Sequence, residues 1–143
     1  MNDINSCILV GRLTRDGELT YTQNGKAKLV FSLAVNRSIK QGDQWADDTA
    51  FFDVTCWGIM AEGLKQRIGK GSQVGVVGRL CQDRWKDNQG QNRTKIYILA
   101  ETVEVLKGLR KDGQSHYAQN QQDYPQDYQE EMNYGEIHNL LEG

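Results

Sequence analysis

Apolar and polar residues alternate along much of the first 110 positions, which is the period of strands that are half-buried in a sheet. A first strand is predicted from Ser6 to Leu13. Asn24-Gly25 then has the positive-φ character of a tight hairpin turn, and a second strand follows from about Lys26 to Asn36. The residues predicted to form its core face are Leu29, Phe31, Leu33 and Val35.

The segment Arg37 to Asp48 is polar and is predicted to be a loop. A third strand is expected from Thr49 to Trp57, and its two faces differ. One face is entirely apolar and consists of Phe52, Val54 and Cys56. The other face is mixed and is expected to be solvated; it consists of Phe51, Asp53, Thr55 and Trp57.

Met60, Leu64 and Ile68 recur every four residues and predict a short helix that ends at Gly69-Lys70-Gly71. Two further strands, Ser72 to Lys86 and Arg93 to Leu106, flank a polar turn at Asp87-Asn88-Gln89-Gly90. About five strands with one helix between the third and the fourth predict an all-β fold, the five-stranded Greek-key OB-fold barrel.

Charge divides the chain into two parts that the net value of -2 conceals. All 17 Lys and Arg lie in residues 1–111 with 12 Asp and Glu, which gives 17 - 12 = +5, while residues 112–143 hold the other 7 acids and no base, which gives -7. The second part also lacks periodicity and is rich in Gln, Asn, Asp and Tyr. We predict a folded basic domain over 1–111 and a disordered acidic C-terminal tail over 112–143.

Exposed aromatic rings interleaved with cations are what a protein needs to hold single-stranded nucleic acid, because rings stack on bases and cations neutralise phosphates. Arg84-Trp85-Lys86 shows this pattern beside a predicted turn. The predicted base-stacking residues are Phe51, Trp57, Trp85 and Trp45. The predicted phosphate-contacting residues are Arg12, Arg37, Lys40, Arg79, Arg84, Lys86, Arg93 and Lys95.

Each of these residues also has a purely structural interpretation. A tryptophan is often a partly buried core residue, which applies more to Trp57 than to Trp85, and Trp45 is equally well explained as a loop anchor. Lysine and arginine are commonly solvated surface residues. The joint occurrence of rings and cations on the same segments is what favours a nucleic-acid interface.

Catalytic and metal-binding patterns are weak in this sequence. Both histidines, His116 and His138, fall in the predicted tail, so the folded part offers no Ser/His/Asp or Cys/His arrangement. Cys7, Cys56 and Cys81 lack the paired spacing of zinc ligands and are predicted to be reduced core thiols. We expect no enzymatic activity, no cofactor and no metal. The start of the chain has no signal-peptide or membrane-segment pattern, which leads us to expect a cytoplasmic protein.

Several sequence blocks resemble the bacterial single-stranded DNA-binding protein family. The resemblance covers about residues 4 to 107, and its clearest blocks are NSCILVG at 5–11, LTYTQNG at 19–25, FFDVTCWG at 51–58, KGSQV at 70–74 and WKDNQGQNR at 85–93. It implies base stacking by Phe51, Trp57 and Trp85. A fourth ring of the family falls on Ile39, where this chain has no ring and Trp45 is the nearest substitute.

The resemblance further implies a non-enzymatic role in DNA replication, recombination and repair. It implies a homotetramer that is paired through first strands, and an acidic tail that contacts replication and repair proteins. Two other classes stay open on the residues alone. One is a specialised OB module that binds RNA or docks onto proteins, and the other is a metal-dependent nuclease.

Overall fold

The computed structural model describes residues 1–109, and the predicted tail 112–143 lies outside the described residues. The described chain is predominantly strand with one short helix, as the sequence predicts. Its elements are β1 (Cys7–Leu13), β2 (Glu18–Tyr21), β3 (Ala27–Gln41), β4 (Gln44–Trp57), α1 (Gly58–Arg67), β5 (Gln73–Lys86) and β6 (Asn92–Lys107).

Five of the strands form a ring through their pairings. β1 pairs antiparallel with β5, β5 with β6, and β4 with β3, while β4 and β6 run parallel and β1 also pairs with β3. The β1–β3 and β4–β6 contacts each have only two residue pairs, so the ring is partly open. This connectivity, with α1 between β4 and β5, is OB-fold-like.

Two elements differ from the sequence prediction. The four-residue strand β2 was not predicted, because Glu18–Tyr21 has only one residue, Leu19, that packs against the core. The prediction that residues 37–48 form a loop is wrong. β3 and β4 continue as a paired hairpin up to Gln41 and Gln44, with Gly42 at φ 63° in the turn. Neither face of this hairpin is deeply buried, so its polar sequence lacks the alternation of apolar and polar residues from which a strand is predicted.

The core lies inside the ring and is built by alternate residues, as strand geometry requires. The predicted core face of β3 is confirmed, since Leu29, Phe31 and Leu33 are all buried. Helix α1 adds Ala61 and Leu64, and Ile68 follows it into the same cluster.

A bulge in the β5–β6 pairing changes which residues of β6 face the core. Gly78 pairs with Ala100, but Val77 pairs with Thr102, so one residue of β6 is skipped. Ile98 and Ala100 face the core before the bulge, and Val103 packs against it afterwards. A Cβ on Gly78 would lie 2.2 Å from the Leu99 carbonyl oxygen, which is why this close approach needs glycine.

Candidate nucleic-acid interface

Directly paired residues of neighbouring strands project from the same face of a sheet, so the register defines which side chains share a surface. Lys28 is opposite Trp57, and Ala34 is opposite both Phe51 on β4 and Arg12 on β1. An ion pair between Lys95 and Asp53 joins β6 to the same face. We call this surface the ring face; its principal residues are Arg12, Lys28, Phe51, Asp53, Trp57, Arg79, Cys81, Asp83, Trp85, Arg93, Lys95 and Tyr97.

Trp57 lies beside two ammonium groups at the end of β4. The Lys26 Nζ is 4.8 Å and the Lys28 Nζ 5.5 Å from the centroid of a Trp57 ring. Gly58, at φ 72°, turns the chain from the strand into α1 immediately after this tryptophan. Trp57 is half-buried, so the ring is fixed on the sheet while part of it stays accessible. Cations at this distance attract the π-face and also offer charge to a nearby phosphate.

Phe51 and Arg12 flank the same buried residue, Ala34, from opposite sides. Arg12 is half-buried, and its Nη1 donates a hydrogen bond of 3.4 Å to the Gly71 carbonyl oxygen. This contact ties the guanidinium to the loop that follows α1. The half-buried Phe51 ring and this partly anchored cation therefore lie on the same face, with β3 between them.

Trp85 is 48% exposed near the tip of the β5–β6 hairpin and pairs directly with Arg93. The turn is organised by Asp87: its Oδ1 accepts hydrogen bonds from the Gln89 and Gln91 amides, and its Oδ2 accepts one from Arg93 Nε at 3.0 Å. The Gln91 amide bond, together with the Arg93 bond, lowers the pKa of Asp87. The turn thus holds Arg93 beside the Trp85 ring.

Three predicted phosphate-contacting cations form ion pairs with carboxylates. They are Arg93 with Asp87, Lys95 with Asp53 at 3.1 Å, and Arg37 with Asp48 at 2.8 Å. All three cations are more than half exposed, so these pairs are solvent-screened and cost little to rearrange. The carboxylates position the cations on the surface and lower its net positive charge.

Arg84 and Lys86 do not share the ring face with Trp85. Adjacent residues of a strand project to opposite sides, and Arg84 is paired with Thr94 while Lys86 is paired with Asn92. The Arg84 guanidinium donates hydrogen bonds to Gln82 Oε1 on that other side. Arg79, which pairs with Leu99, is exposed on the ring face.

The β3–β4 hairpin carries the remaining predicted residues. Trp45 is 70% exposed and opposite Lys40, and both follow the parity of Phe51 along their strands. Ile39 is opposite Ala46, so it lies on the other side of the hairpin. Arg37 shares that other side. Trp45 is therefore an exposed ring on the extension of the ring face rather than an anchor buried in a loop.

Sequence reasoning missed Lys26, Lys28 and Tyr97. The lysines flank the core residues Ala27 and Leu29, but only the β3–β4 register brings them to Trp57. Tyr97 pairs with Cys81 and so reaches the ring face through the β5–β6 register. The parity of these residues, opposite to that of the buried positions, was the signal available in the sequence.

All three cysteines are free, as predicted, but they are not all core residues. Cys56 is buried and the half-buried Cys7 packs against the core, whereas the half-buried Cys81 lies on the ring face. Burial raises the pKa of Cys56 to about 12. Within residues 1–109 no group of three or more His, Cys, Asp or Glu side chains is placed to hold a metal ion. In the same range no helix is long and apolar enough to cross a membrane.

A five-strand ring with aromatic rings, lysines and arginines on one face is the arrangement of OB-fold proteins that hold single-stranded nucleic acid. Comparison with known proteins narrows this class. The model of the single-strand binding protein family matches residues 4–106. The chain therefore belongs to the single-strand binding protein family.

Curated relatives agree with this assignment. A single-stranded DNA-binding protein of Treponema pallidum is 48% identical over 106 residues, which is 74% of this chain and 60% of that protein. The corresponding figures for the protein of that name from Borreliella burgdorferi are 44% identity over 74% of this chain and 72% of the relative. A single-stranded DNA-binding protein of Aquifex aeolicus is 36% identical over 85% and 82% of the two chains. The match thus spans about three fifths of the Treponema protein.

Proposed function

We propose that the ring face binds single-stranded DNA without sequence preference and protects it during replication, recombination and repair, with no catalytic step. The observation that carries this proposal is that Phe51, Trp57 and Trp85 share one face with several cations, of which Lys26 and Lys28 lie beside Trp57 and Arg93 is paired with Trp85. Stacking on an aromatic side chain is worth about 1–3 kcal/mol per base. Three rings therefore contribute on the order of 3–9 kcal/mol per subunit before ordering costs.

In the proposed binding mode, lysines and arginines contact the DNA phosphates while the aromatic rings stack on the bases. Lys26 and Lys28 beside Trp57, and Arg93 beside Trp85, place positive charge next to these two rings. Neither base stacking nor a phosphate contact reads a base edge, so the interaction is tolerant of DNA sequence. Binding should weaken as salt rises, because each neutralised phosphate releases counterions.

The double variant Phe51→Ala with Trp85→Ala tests the assigned surface. We expect its affinity for oligothymidylate to fall by about an order of magnitude or more, because two stacking contacts are lost. Ile59→Ala, which truncates an exposed side chain on α1, is the matched control and should bind as the unaltered chain does. Unchanged affinity of a folded double variant would overturn the assignment.

Competition distinguishes the substrate class. Single-stranded DNA should displace a labelled oligothymidylate better than RNA or duplex DNA of the same length. Preference for RNA would support an RNA-binding OB module instead. Incubation of a labelled single strand with Mg²⁺ should leave it intact, and cleavage would support a nuclease.

We also propose that copies of this chain assemble through β1 into a homotetramer. Residues Cys7 to Gly11 pair with β5 on one edge, and in the part of the chain that the structure describes no strand pairs with their other edge. Ile8 and Val10 are 73% and 51% exposed on this strand. An open, apolar edge strand is a template for pairing with another chain. Light scattering should give four copies for the unaltered chain and fewer for Ile8→Asp.

We further propose that the acidic segment 112–143 competes with DNA for the ring face and contacts replication and repair proteins. The support is charge: +5 for residues 1–111 against -7 for the segment. Truncation after Lys111 should raise DNA affinity most at low salt, where screening is weak. Equal affinities at every salt concentration would contradict the competition.

A further inference from the structure

Tyr97 lies on the ring face in an interval that the other rings leave open. Phe51 and Trp57 are six residues apart on β4, a separation of about 20 Å along a strand. The parallel pairing of Val54 with Ile98 places Tyr97 beside Asp53, within that interval. On its other side Tyr97 is directly opposite Cys81 of β5. Tyr97 therefore lies on β6 at a level between Phe51 and Trp57 of β4.

The Tyr97 side chain is half-buried, and Cys81 and Asp83 lie near its phenol on the adjacent strand. Burial raises the pKa of Tyr97, and the nearby Asp83 carboxylate raises it further. The phenol is consequently neutral at physiological pH. A half-buried side chain with only two χ angles loses little entropy when a base packs against it.

Positive charge is adjacent to this ring. Lys95 precedes Tyr97 by two residues on the same face of β6, and its Nζ is 3.1 Å from Asp53 Oδ2. Arg79 is two residues from Cys81 on the same face of β5 and is exposed. A strand passing over Tyr97 would thus have Lys95 on β6 and Arg79 on β5 as phosphate partners.

We propose that Tyr97 is a further base-stacking residue, which links the contacts at Phe51 and Trp57 into one continuous track. The inference rests on the proposed single-stranded DNA binding, and it assigns a contact that the recognised ring positions do not include.

Tyr97→Leu tests the ring, because it keeps an apolar side chain on the sheet and removes the π-face. We expect a loss of oligothymidylate affinity of at least about fivefold, the lower limit for one stacked base. Tyr97→Phe keeps the ring and should bind within about twofold of the unaltered chain. Tyr21→Leu is the matched control, since Tyr21 is exposed but pairs with the core residue Ala27, and its affinity should be unchanged.

A photochemical experiment on the unaltered full chain reads out contact directly and does not depend on how a variant folds. Oligothymidylate carrying 5-iodouracil is irradiated in complex with the protein, and the crosslinked peptides are identified by mass spectrometry. We expect adducts on Tyr97 in addition to those on Phe51, Trp57 or Trp85.

The outcomes separate this inference from the proposed function. If the unaltered chain binds no oligothymidylate, the proposed function fails together with the inference. If the unaltered chain binds and a folded Tyr97→Leu variant binds equally well, the Tyr97 assignment alone is overturned. Crosslinks at the other rings with none at Tyr97 would overturn it in the same way.

Discussion

The Lys95 Nζ lies 3.1 Å from the Asp53 Oδ2 and thereby joins β6 to β4 across the middle of the ring face. Both side chains are partly exposed, at 52% and 33%. An ion pair of this kind contributes about 0–1 kcal/mol to stability, so its main effect is on the charge that the surface offers to a ligand.

Asp53→Asn should strengthen binding of single-stranded DNA, because it removes a negative charge from the ring face and frees Lys95 for a phosphate. We expect higher affinity at low salt, and a steeper dependence of log K on log salt by about 0.7. Oligothymidylate titrations at several salt concentrations measure both quantities.

Asp3→Asn is the control for this experiment, since it makes the same change of charge in the exposed segment before β1. The slope should stay at its original value in that variant. An unchanged or shallower slope for Asp53→Asn would show that Lys95 does not reach a phosphate.

Trp57→Leu should lower the affinity for oligothymidylate by about fivefold to a hundredfold, the range for one stacked base. Trp57→Phe should lose less, because a ring remains beside Lys26 and Lys28. Trp57 is the N-cap of α1 but its side chain makes no capping hydrogen bond, so neither substitution removes a cap. Equal binding by all three proteins, with equal thermal stability, would assign Trp57 a structural role only.

Gly78→Ala should destabilise the domain by about 1–3 kcal/mol, because a Cβ there would meet the Leu99 carbonyl oxygen at 2.2 Å and force the bulge apart. The free energy of unfolding in urea measures the effect. Gly63→Ala in α1 is the matched control: nothing lies within 4 Å of its Cβ, and alanine favours the helix by up to about 1 kcal/mol. A Gly78→Ala variant as stable as the unaltered chain would contradict the close packing.

Cys56 should resist alkylation in the folded protein, since its thiol is buried and its pKa is raised to about 12. Iodoacetamide labelling followed by mass spectrometry should modify the half-buried Cys7 and Cys81 first, and Cys56 only in urea. Labelling of Cys56 at the rate of Cys81 in the native protein would contradict its burial.

The Cys56 thiol also makes the stability of the folded domain depend on pH. The unfolded chain loses this proton above the ordinary value of 9.0, while the folded chain keeps it until about 12. Because the folded pKa is raised, the associated stability is complete below pH 9 and is lost as pH rises from 9 to 12. Cys56→Ser, whose hydroxyl does not titrate in this range, should remove this component of the alkaline decline.

The sequence predicts the buried half of the fold well, because burial imposes a period of two. The core residues of β3, Val54 and Cys56 of β4, the helix after Trp57, and the turn at Asp87 to Gly90 were predicted, whereas Phe52, on the same apolar face of β4, is 37% exposed. The paired residues 37–41 and 44–48 were not, since both faces of that hairpin contact solvent and leave no periodic signal.

The candidate site is predictable only in part, for a similar reason. Parity along β4 places Phe51 and Trp57 on one face without a structure. Register between strands is not encoded in the period of either strand, so the approach of Lys28 to Trp57 and of Tyr97 to Cys81 follows only from the strand pairing in the folded protein. Local sequence also misled at Trp85, because its neighbours in the chain are not its neighbours on the surface.

Three consecutive residues of β5 alternate between the two sides of the hairpin. Trp85 projects from one side and supplies the stacking surface, while Arg84 and Lys86 project from the other side and supply positive charge. Changes at Arg84 or Lys86 alter the charge on one side and leave the indole and its partner Arg93 in place on the other. Stacking strength and electrostatic attraction can therefore be changed independently by natural or engineered substitutions within three consecutive residues.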